Sequence, residues 1–471
     1  MQITPIIGLE VHIELKTLSK MFCGCSAEHF HVDPNTHTCP VCLGLPGALP
    51  VPNKKACEWC IKLGLALGCS INEETFFERK NYFYPDLSKG YQITQLQKPF
   101  AINGKINIEG HEIRINRAHM EEDTGKSVHL NGETLLDFNR SGVPLVEIVS
   151  EPDIKSPEEA KKYLLKIQQI VRYLGISDAD IEKGSMRCEP TVNLNIDGEF
   201  TPMAEIKNVA SLTGVMTAIQ YEIDRQTEDY LQTKITKNST NKTTRGWDAD
   251  KNQTFLQREK EGSADYRYFP EPDIPPITFT PEQIAEIKIT IPEMPEAKIA
   301  KYKSLNLSDY DANLLSQDLN FSIVFEKVLD NSSDSEFAKF IANQLNGVIR
   351  TYLNETQTDI DINKINSNHF IELFSKKSEL SSTSIKQLVL ESYQNGTDPI
   401  EFATKNSLFQ VSDTNAIEEI AKKIINDNPK AVTDYQKNPL SIGFLVGQVM
   451  RASNGTSNPV IAKEILQKLL N

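Results

Sequence analysis

The chain has 471 residues, of which 39% are hydrophobic and 24% are charged, a composition typical of globular proteins. A single hydrophobic core rarely serves so long a chain, so we expect two to four domains. The net charge of −14 excludes a basic surface over the whole chain, although a local patch or a partner subunit can still bind nucleic acid. No run of about 18 apolar residues and no signal-peptide pattern is present, so we expect a cytoplasmic protein without a membrane partner.

The first 150 residues alternate short strand-like runs with turn signals, which predicts a largely antiparallel sheet. The first run, IIGLEVHIEL, alternates apolar residues with Glu10, His12 and Glu14. Side chains on a strand point to opposite faces with period two, so one face is apolar and the other carries Glu-His-Glu. The pattern alone leaves two interpretations open for Glu10 and His12, a hydrated face or a metal site.

Four cysteines close in sequence form a second pattern. Cys23 and Cys25 are separated by thirteen residues from the pair Cys39 and Cys42. Two close pairs of thiolates joined by a short loop can surround one Zn²⁺ tetrahedrally, and a closed site of this kind is structural rather than catalytic. The alternative is a group of unligated thiols. The pair Cys57 and Cys60 lies in a helical run and is predicted to be buried in a helix face.

Further acidic side chains occur where strands or their ends would display them. Glu147 interrupts the apolar run VPLVEIV, where a hydrated charge fits poorly, so its carboxylate needs a partner such as a divalent cation. Simple hydration is the favoured interpretation of Glu14 and Glu121. Lys80 precedes the aromatic run YFY, which predicts either a base-stacking surface or core packing.

Helical patterns follow at about residues 53–67, 156–175 and 211–231, each bounded by a capping residue or a glycine. The polar stretch 233–254 predicts an exposed hairpin or loop, and helical periodicity dominates from Pro292 onward. From Glu401 to the C-terminus eight basic residues stand against seven acidic ones, about +1. This tail is either an RNA-approaching module or an ordinary mixed-charge surface.

A resemblance to a known family is carried by nine segments in fixed order: IGLEVHIELKT, CPVCLGLPGALPVPNKKA, RKNYFYPDLSKGYQITQ, HMEEDTGKS, DFNRSGVPLVEIVSEPDI, GSMRC, EIKN, KEGSADYRYFPEPDIPP and GFLVGQVM. Together they resemble the B subunits of the tRNA-dependent amidotransferases that act on Glu-tRNA(Gln) and Asp-tRNA(Asn). The resemblance implies an α+β fold, with a mixed, largely antiparallel, cradle-like catalytic domain over residues 1–293 and a zinc-binding insert near 23–42. An all-helical domain over 294–405 and a small helical, tRNA-binding tail module over 406–471 would follow.

The resemblance also implies an activity. In this family the B subunit uses ATP and Mg²⁺ to phosphorylate the side-chain carboxylate of the misacylated tRNA. An amidase A subunit supplies ammonia from glutamine, and a small C subunit completes a heterotrimer.

The resemblance also implies site residues, which are assigned to the positions of this sequence that match the family's motifs. The implied Mg²⁺ ligands and catalytic residues are Glu10, His12, Glu122 and Glu147, with Lys80 near the ATP phosphates, Glu189 and Glu205 around the nucleotide, and Zn²⁺ on Cys23, Cys25, Cys39 and Cys42. One departure is Glu189, which stands where related sequences have Asp. The competing hypotheses are a non-catalytic zinc-containing tRNA-binding scaffold and a free-standing metallohydrolase.

Overall fold

The structure, a computed structural model, describes residues 1–259, 266–330, 332–410, 414–453 and 457–470. The chain divides into two compact units, Met1–Met294 and Pro295–Asn471. The first is rich in strands and the second is helical, so the predicted α+β class is confirmed. Across these described ranges, no helix has both the length and the apolar character needed to cross a membrane.

The first unit contains the strands β1 (Ile3–Glu14), β2 (Ser70–Ile71), β3 (Glu74–Thr75), β4 (Glu78–Asn81), β5 (Tyr91–Thr94), β6 (Ala101–Ile108), β7 (His111–Glu122), β8 (Lys126–Leu130), β9 (Glu133–Asp137), β10 (Pro144–Ser150), β11 (Met186–Ile196), β12 (Glu199–Phe200), β13 (Ala204–Lys207), β14 (Thr243–Asp248), β15 (Gln253–Glu259), β16 (Phe269–Pro270) and β17 (Ile277–Thr278). Its helices are α1 (Lys54–Ala66), α2 (Pro157–Tyr173), α3 (Leu212–Thr233) and α4 (Pro281–Ile289).

One large sheet organises this unit. Its strand order is β15-β14-β13-β11-β1-β10-β7-β6-β2, with β12 also paired to β11. All neighbours are antiparallel except β13 and β14, as expected for a mixed, largely antiparallel sheet. A small sheet, β16-β4-β5, carries Lys80. The first strand of the chain is therefore central, with β10 on one side and β11 on the other.

The alternation in β1 separates a core face from a polar face. Leu9, Val11 and Ile13 are almost completely buried and belong to one hydrophobic cluster with apolar residues of α1 and α2. Helix α2 begins as its sequence predicts, because Ser156 accepts a hydrogen bond from the Glu159 amide and proline occupies the first turn. The apolar row faces this cluster, which leaves the acidic row of β1 on the opposite face of the sheet.

The polar stretch 233–254 differs in part from its prediction. Its second half forms most of the β14–β15 hairpin at the edge of the large sheet, and Trp247 there is buried against Tyr221. The predicted hairpin therefore forms, but the prediction that it is exposed is wrong for β14. Threonine-rich strands can pair at a sheet edge because only one of their faces needs to be apolar. Residues 260–265, part of the KEGSADYRYF segment, lie outside the described residues.

The second unit contains the helices α5 (Pro295–Ser304), α6 (Asp309–Leu315), α7 (Leu319–Leu329), α8 (Ser335–Asn343), α9 (Arg350–Thr356), α10 (Ser367–Ser375), α11 (Ser382–Asn395), α12 (Pro399–Lys405), α13 (Thr414–Asp427), α14 (Pro429–Lys437), α15 (Ile442–Ala452) and α16 (Pro459–Leu470), with a π-helical stretch at Gln344–Ile349. Its described apolar residues form two clusters, one between Tyr302 and Ala403 and one between Ile417 and Leu466. The division into two domains at residues 405/406 stays a prediction.

Candidate active site

Four adjacent strands place polar side chains in one row across the polar face of the large sheet. His12 of β1 lies opposite Glu147 of β10, and Glu147 lies opposite His119 of β7. On its other side His12 lies opposite Arg187 of β11, and Glu10 lies opposite Glu189. Because side chains alternate with period two, strands held in this register bring these residues together from distant parts of the sequence.

The closest group in this row is able to hold a metal ion. The Nε2 atom of His12 lies 3.3 Å from Oε1 of Glu121 and 3.5 Å from Oε2 of Glu147, and one ligand atom from each residue falls within 4.8 Å of the others. Both carboxylates are buried. His119 Nε2 is also 3.5 Å from Oε2 of Glu147. An imidazole with several carboxylate oxygens is a donor set that suits Mg²⁺ or Mn²⁺.

The charges in this group are strongly coupled. Burial raises the pKa of Glu10 above its ordinary value, and the nearby carboxylates of Glu147, Glu205 and Glu189 raise it further. Burial also raises the pKa of Glu121, to about 7. The carboxylates repel one another in a poorly hydrated place, and a divalent cation would relieve that repulsion. The residues therefore fit a bound metal ion.

The two histidines of the row differ in their protonation. Burial alone would lower the pKa of His12, but its hydrogen bond to Glu147 and the neighbouring carboxylates raise it to about 9. Burial lowers the pKa of His119 to about 4, so this imidazole is neutral near pH 7. The buried Nδ1 atoms of both rings have no hydrogen-bond partner among the described residues. Polar atoms left in this state are typical of a site completed by a ligand or water.

Lys80 lies over this group from the small sheet. It pairs with Gln92 in the β4–β5 register, and its Nζ atom is 5.1 Å from the ring centre of Tyr266 and 5.9 Å from that of Tyr82. Burial works to lower the pKa of Lys80, but Tyr268, Glu121 and Glu147 raise it above its ordinary value. Lys80 is therefore a fixed positive charge. The neighbouring Arg79 instead binds Glu271, with 2.6 Å between Nε and Oε2.

These side chains line one pocket of about 430 Å³, within the size range of small-molecule sites. Its wall combines carboxylates, cations and aromatic rings, including Glu10, His12, Lys80, Tyr82, Gln92, Arg117, His119, Glu121, Asp123, Glu147, Arg187, Glu189, Glu205, Lys207, Lys242, Tyr266 and Tyr268. The pocket therefore offers acidic ligands for cations beside basic groups for phosphate.

The two carboxylates predicted around the nucleotide occupy the β11–β13 side of this pocket. Lys207 Nζ lies 2.5 Å from Oε2 of Glu189 and 3.3 Å from Oε1 of Glu205, and Lys242 Nζ lies 3.2 Å from Oε2 of Glu205. Both carboxylates are thus ion-paired with lysines. The longer side chain of Glu189, compared with Asp, reaches Lys207 of β13 in this way.

Glu122 is the one predicted Mg²⁺ ligand that lies outside the pocket. It points to the opposite face of β7, where its carboxylate is 2.7 Å from Lys89 Nζ and accepts a hydrogen bond from the Ile93 amide. The structure therefore brings Glu121, and not the predicted Glu122, to the candidate metal group. The alternation of β7 could have distinguished the two glutamates from sequence. Met120 is apolar and faces the core, and Glu122 shares its face because side chains alternate with period two. His119 and Glu121 share the other face. Glu14 also lies outside the pocket, paired with His29.

The four predicted zinc ligands come together at one point of the first unit. The Sγ atoms of Cys23, Cys25, Cys39 and Cys42 lie within 4.8 Å of one another. The Cys39 amide donates a hydrogen bond to Cys42 Sγ, and hydrogen bonding from Cys23 is the main cause that lowers the pKa of Cys42 to about 4. Four converging sulfurs with a stabilised thiolate fit a structural Zn²⁺ site. Cys57 and Cys60 are buried in α1, as predicted.

Fold and site together define a protein with an acidic, metal-competent pocket on a mixed sheet and a separate thiolate cluster. The family model of the GatB/GatE catalytic domain matches residues 5–285, and that of the GatB domain matches residues 323–470. Both matches are consistent with the two units of the chain.

Curated relatives match along their whole length. The B subunit of the aspartyl/glutamyl-tRNA(Asn/Gln) amidotransferase of Persephonella marina is 44% identical over 100% of both chains. The proteins of the same name from Thermotoga petrophila and Dehalococcoides mccartyi are 41% and 43% identical, and each match covers 100% of this chain and 99% of the relative. The chain belongs to the family of B subunits of the aspartyl/glutamyl-tRNA(Asn/Gln) amidotransferases, and the resemblance carried by its motifs is confirmed.

Proposed function

We propose that this chain is the ATP-using subunit of a tRNA-dependent amidotransferase that acts on Glu-tRNA(Gln) or Asp-tRNA(Asn). The observation that carries the proposal is the group of His12 with the buried carboxylates Glu121 and Glu147, which lies in one pocket with Lys80 and Arg187. Acidic and basic groups side by side fit a nucleotide bound through both its cation and its phosphates. The names of the relatives, which are amidotransferase subunits, support the same activity.

The reaction needs activation because a carboxylate is a poor acyl donor. In the proposed sequence a carboxylate oxygen of the substrate attacks the γ-phosphorus of ATP, and ADP leaves. Ammonia then attacks the acyl carbon of the mixed anhydride, phosphate leaves with the former carboxylate oxygen, and the nitrogen loses a proton to give the amide. A pocket that excludes water would limit hydrolysis of the activated acyl group.

The chain's own side chains would position and balance charge in this sequence. Mg²⁺ held by His12, Glu121 and Glu147, with Glu10 next to them, would neutralise phosphate oxygens when bound. Lys80 stays protonated and presents a fixed positive charge to a phosphate. Arg187 is oriented by Asp123, whose Oδ2 atom lies 2.8 Å from its Nη1 atom, so one edge of its guanidinium is already held.

The proposed assembly is a heterotrimer with an amidase A subunit and a small C subunit. The relatives are each named as one subunit of an amidotransferase, which supports a multi-subunit enzyme. Glutamine would supply ammonia through the A subunit. Zn²⁺ on the four cysteines would have a structural role only, because four thiolates leave no open coordination position.

The proposal is tested by the substitution Glu147→Gln in the assembled complex. We expect ADP formation that depends on Glu-tRNA(Gln) or Asp-tRNA(Asn) to fall about 100-fold or more, because the amide removes a ligand charge from the buried group. The matched control is Glu133→Gln, at an exposed position in β9. An unchanged rate in Glu147→Gln would instead support the non-catalytic scaffold, and ATP cleavage without tRNA or partner subunits would support the free-standing hydrolase.

A further inference from the structure

A row of tyrosines leads from the pocket to the protein surface. The ring centres of Tyr268 and Tyr266 are 6.2 Å apart, those of Tyr266 and Tyr82 are 6.1 Å apart, and those of Tyr82 and Tyr84 are 6.3 Å apart. The first three rings line the pocket, whereas Tyr84 lies outside its lining and is 64% exposed. We name these four residues the tyrosine row. It is a continuous aromatic wall with one end in the pocket lining and an open end at the exposed ring of Tyr84.

The open end of the tyrosine row carries more aromatic surface and positive charge. Phe83 is 79% exposed and its ring lies against Gly90, where an added Cβ atom would come within 3.3 Å of the ring. Arg258 donates a hydrogen bond of 3.1 Å to the Tyr266 hydroxyl. Arg267, which follows Tyr266 in the sequence, is exposed. Exposed aromatic rings beside guanidinium groups are the combination by which proteins hold unpaired nucleotides.

We propose that the open end of the tyrosine row, Tyr84 with Phe83 and Arg258, is a stacking surface for the unpaired 3′-terminal nucleotide of the acylated RNA. This inference rests on the proposed function. The amino acid is esterified to that nucleotide, so when its side-chain carboxylate reaches the pocket, the terminal base must lie at the pocket mouth. The positive charge of Arg258 complements the phosphate charge of the RNA.

Position favours the RNA terminus over the base of ATP as the occupant. The cations and carboxylates that suit the phosphates of ATP lie inside the pocket, around Lys80 and Glu147. Tyr84 lies beyond that lining at an open surface, where a macromolecule arrives from solvent. Stacking on an aromatic ring is tolerant of base identity, so this contact would position the substrate rather than select its sequence.

The test uses the heterotrimeric complex and unacylated tRNA(Gln) with 2-aminopurine in place of the terminal adenine. Stacking quenches 2-aminopurine fluorescence, so we expect strong quenching at saturating wild-type complex, loss of quenching with Tyr84→Ala, and retention with Tyr84→Phe, which keeps the ring. The KM for acylated tRNA should rise about tenfold in Tyr84→Ala, with the KM for ATP unchanged. The matched control is Phe200→Ala, a partly exposed aromatic residue outside the pocket lining.

Three results would overturn the inference. One is the absence of quenching with wild type, or equal quenching with Tyr84→Ala. Another is a rise in the KM for ATP alone, which would assign the ring to the nucleotide. The third is that the Tyr84→Ala chain no longer co-purifies with the A subunit while quenching persists, which would assign the surface to a protein partner. Glu147→Gln separates this inference from the proposed function, because that variant should lose turnover and keep the quenching.

Discussion

At the scale of single residues, two adjacent glutamates of β7 have different surroundings. Glu121 faces His12 across the pocket, whereas Glu122 is buried on the other face with Lys89. Substitution of these two chemically identical side chains should therefore have different effects. Loss of Glu121 removes a candidate metal ligand, whereas loss of Glu122 leaves the ammonium group of Lys89, whose side chain is 11% exposed, without its partner.

We predict that Glu121→Gln weakens Mn²⁺ binding at least tenfold, measured by calorimetry or by the electron paramagnetic resonance signal of free Mn²⁺. Glu122→Gln should leave Mn²⁺ affinity unchanged and lower the free energy of unfolding by about 2 kcal/mol, because the partly buried Lys89 loses its opposing charge. A loss of Mn²⁺ affinity confined to Glu122→Gln would instead support Glu122 as the metal ligand.

The residues of β1 show how far the sequence alone determines this site. The alternation of Leu9, Val11 and Ile13 with Glu10 and His12 is sufficient to predict which side chains share a face, because the period of a strand is fixed by its backbone. It says nothing about which strand is the neighbour. The partners of His12 come from residues more than 100 positions away, and only the antiparallel register with β10 and β7 brings them within contact.

The pairing of other site residues is not visible in the sequence. Lys207 and Lys242 stand in ordinary polar surroundings, and their role is visible only through their contacts with Glu205. The tyrosine row similarly joins Tyr82 to Tyr266 across 184 positions of chain. The cysteine cluster was accessible from sequence because its ligands lie within one short loop, where spacing limits geometry directly.

At the scale of elements, the cysteine loop is tied to the segments that precede β5 and β10. The Cys42 carbonyl accepts hydrogen bonds from Ser88 Oγ at 2.8 Å and Ser141 Oγ at 3.1 Å. Little regular secondary structure occurs between Lys20 and Asn53, so hydrogen bonds of this kind and the four sulfurs hold its shape. Metal binding there should contribute directly to the stability of the first unit.

We predict that Cys39→Ser combined with Cys42→Ser removes one zinc ion per chain and lowers the thermal unfolding midpoint. Native mass spectrometry of protein purified without chelator measures the zinc content. Cys57→Ala, at a buried cysteine of α1, is the control and should keep the metal. Equal zinc content in the double variant and wild type would exclude the four-thiolate site.

Helix α3 contains a buried ionic group that makes stability depend on pH. Glu222 is fully buried, with Arg225 Nη2 2.6 Å from Oε2 and Arg245 Nε 3.0 Å from Oε1. Burial works to raise the pKa of Glu222, but hydrogen bonds and charge from Arg225 lower it below the ordinary value near 4.5. Because the folded-state pKa is the lower one, the stabilisation is complete above about pH 4.5 and is lost as the pH falls through the folded-state value.

We predict that Glu222→Gln lowers the free energy of unfolding at pH 7 by about 3 kcal/mol, because two guanidinium groups lose their shared carboxylate. Below pH 4.5 the difference from wild type should shrink, since wild-type Glu222 then becomes protonated as well. Urea unfolding monitored by circular dichroism at several pH values measures both effects. Glu228→Gln, at an exposed position of the same helix, should change neither; a constant difference at all pH values would refute the titration.

At the scale of the whole molecule, the acidic pocket and the nearly neutral C-terminal tail lie in different units. The pocket belongs to residues 1–294, whereas the tail from Glu401 carries about +1 in a chain of −14. The hydrophobic cluster between Tyr302 and Ala403 is followed by two contacts back to the same part of the chain. Phe409 forms a β-bridge with Leu380, and the Gln410 amide donates a hydrogen bond to the Glu379 carbonyl. Residues after 413 contribute a separate hydrophobic cluster.

We predict that removal of residues 411–471 leaves the rest of the chain folded and weakens tRNA binding, with the KM for ATP unchanged. The reason is that both remaining hydrophobic clusters stay complete, while the proposed tRNA-binding module is lost. Thermal unfolding of the truncated chain and filter binding of tRNA measure the two effects in the assembled complex. Unchanged tRNA affinity would make the tail an ordinary charged surface.

The alternation of β1 also limits how this protein can vary. Its core row and its pocket row are carried by the same twelve residues, so inserting or deleting one residue there would exchange the two faces, exposing Leu9 and burying Glu10. Folding of β1 therefore places Glu10 and His12 in the pocket at the same time as it buries the core row. A chain in which the two faces of β1 are exchanged would not fold. Length changes should be tolerated in the connections, such as 234–242, and rejected within β1, β10 and β7.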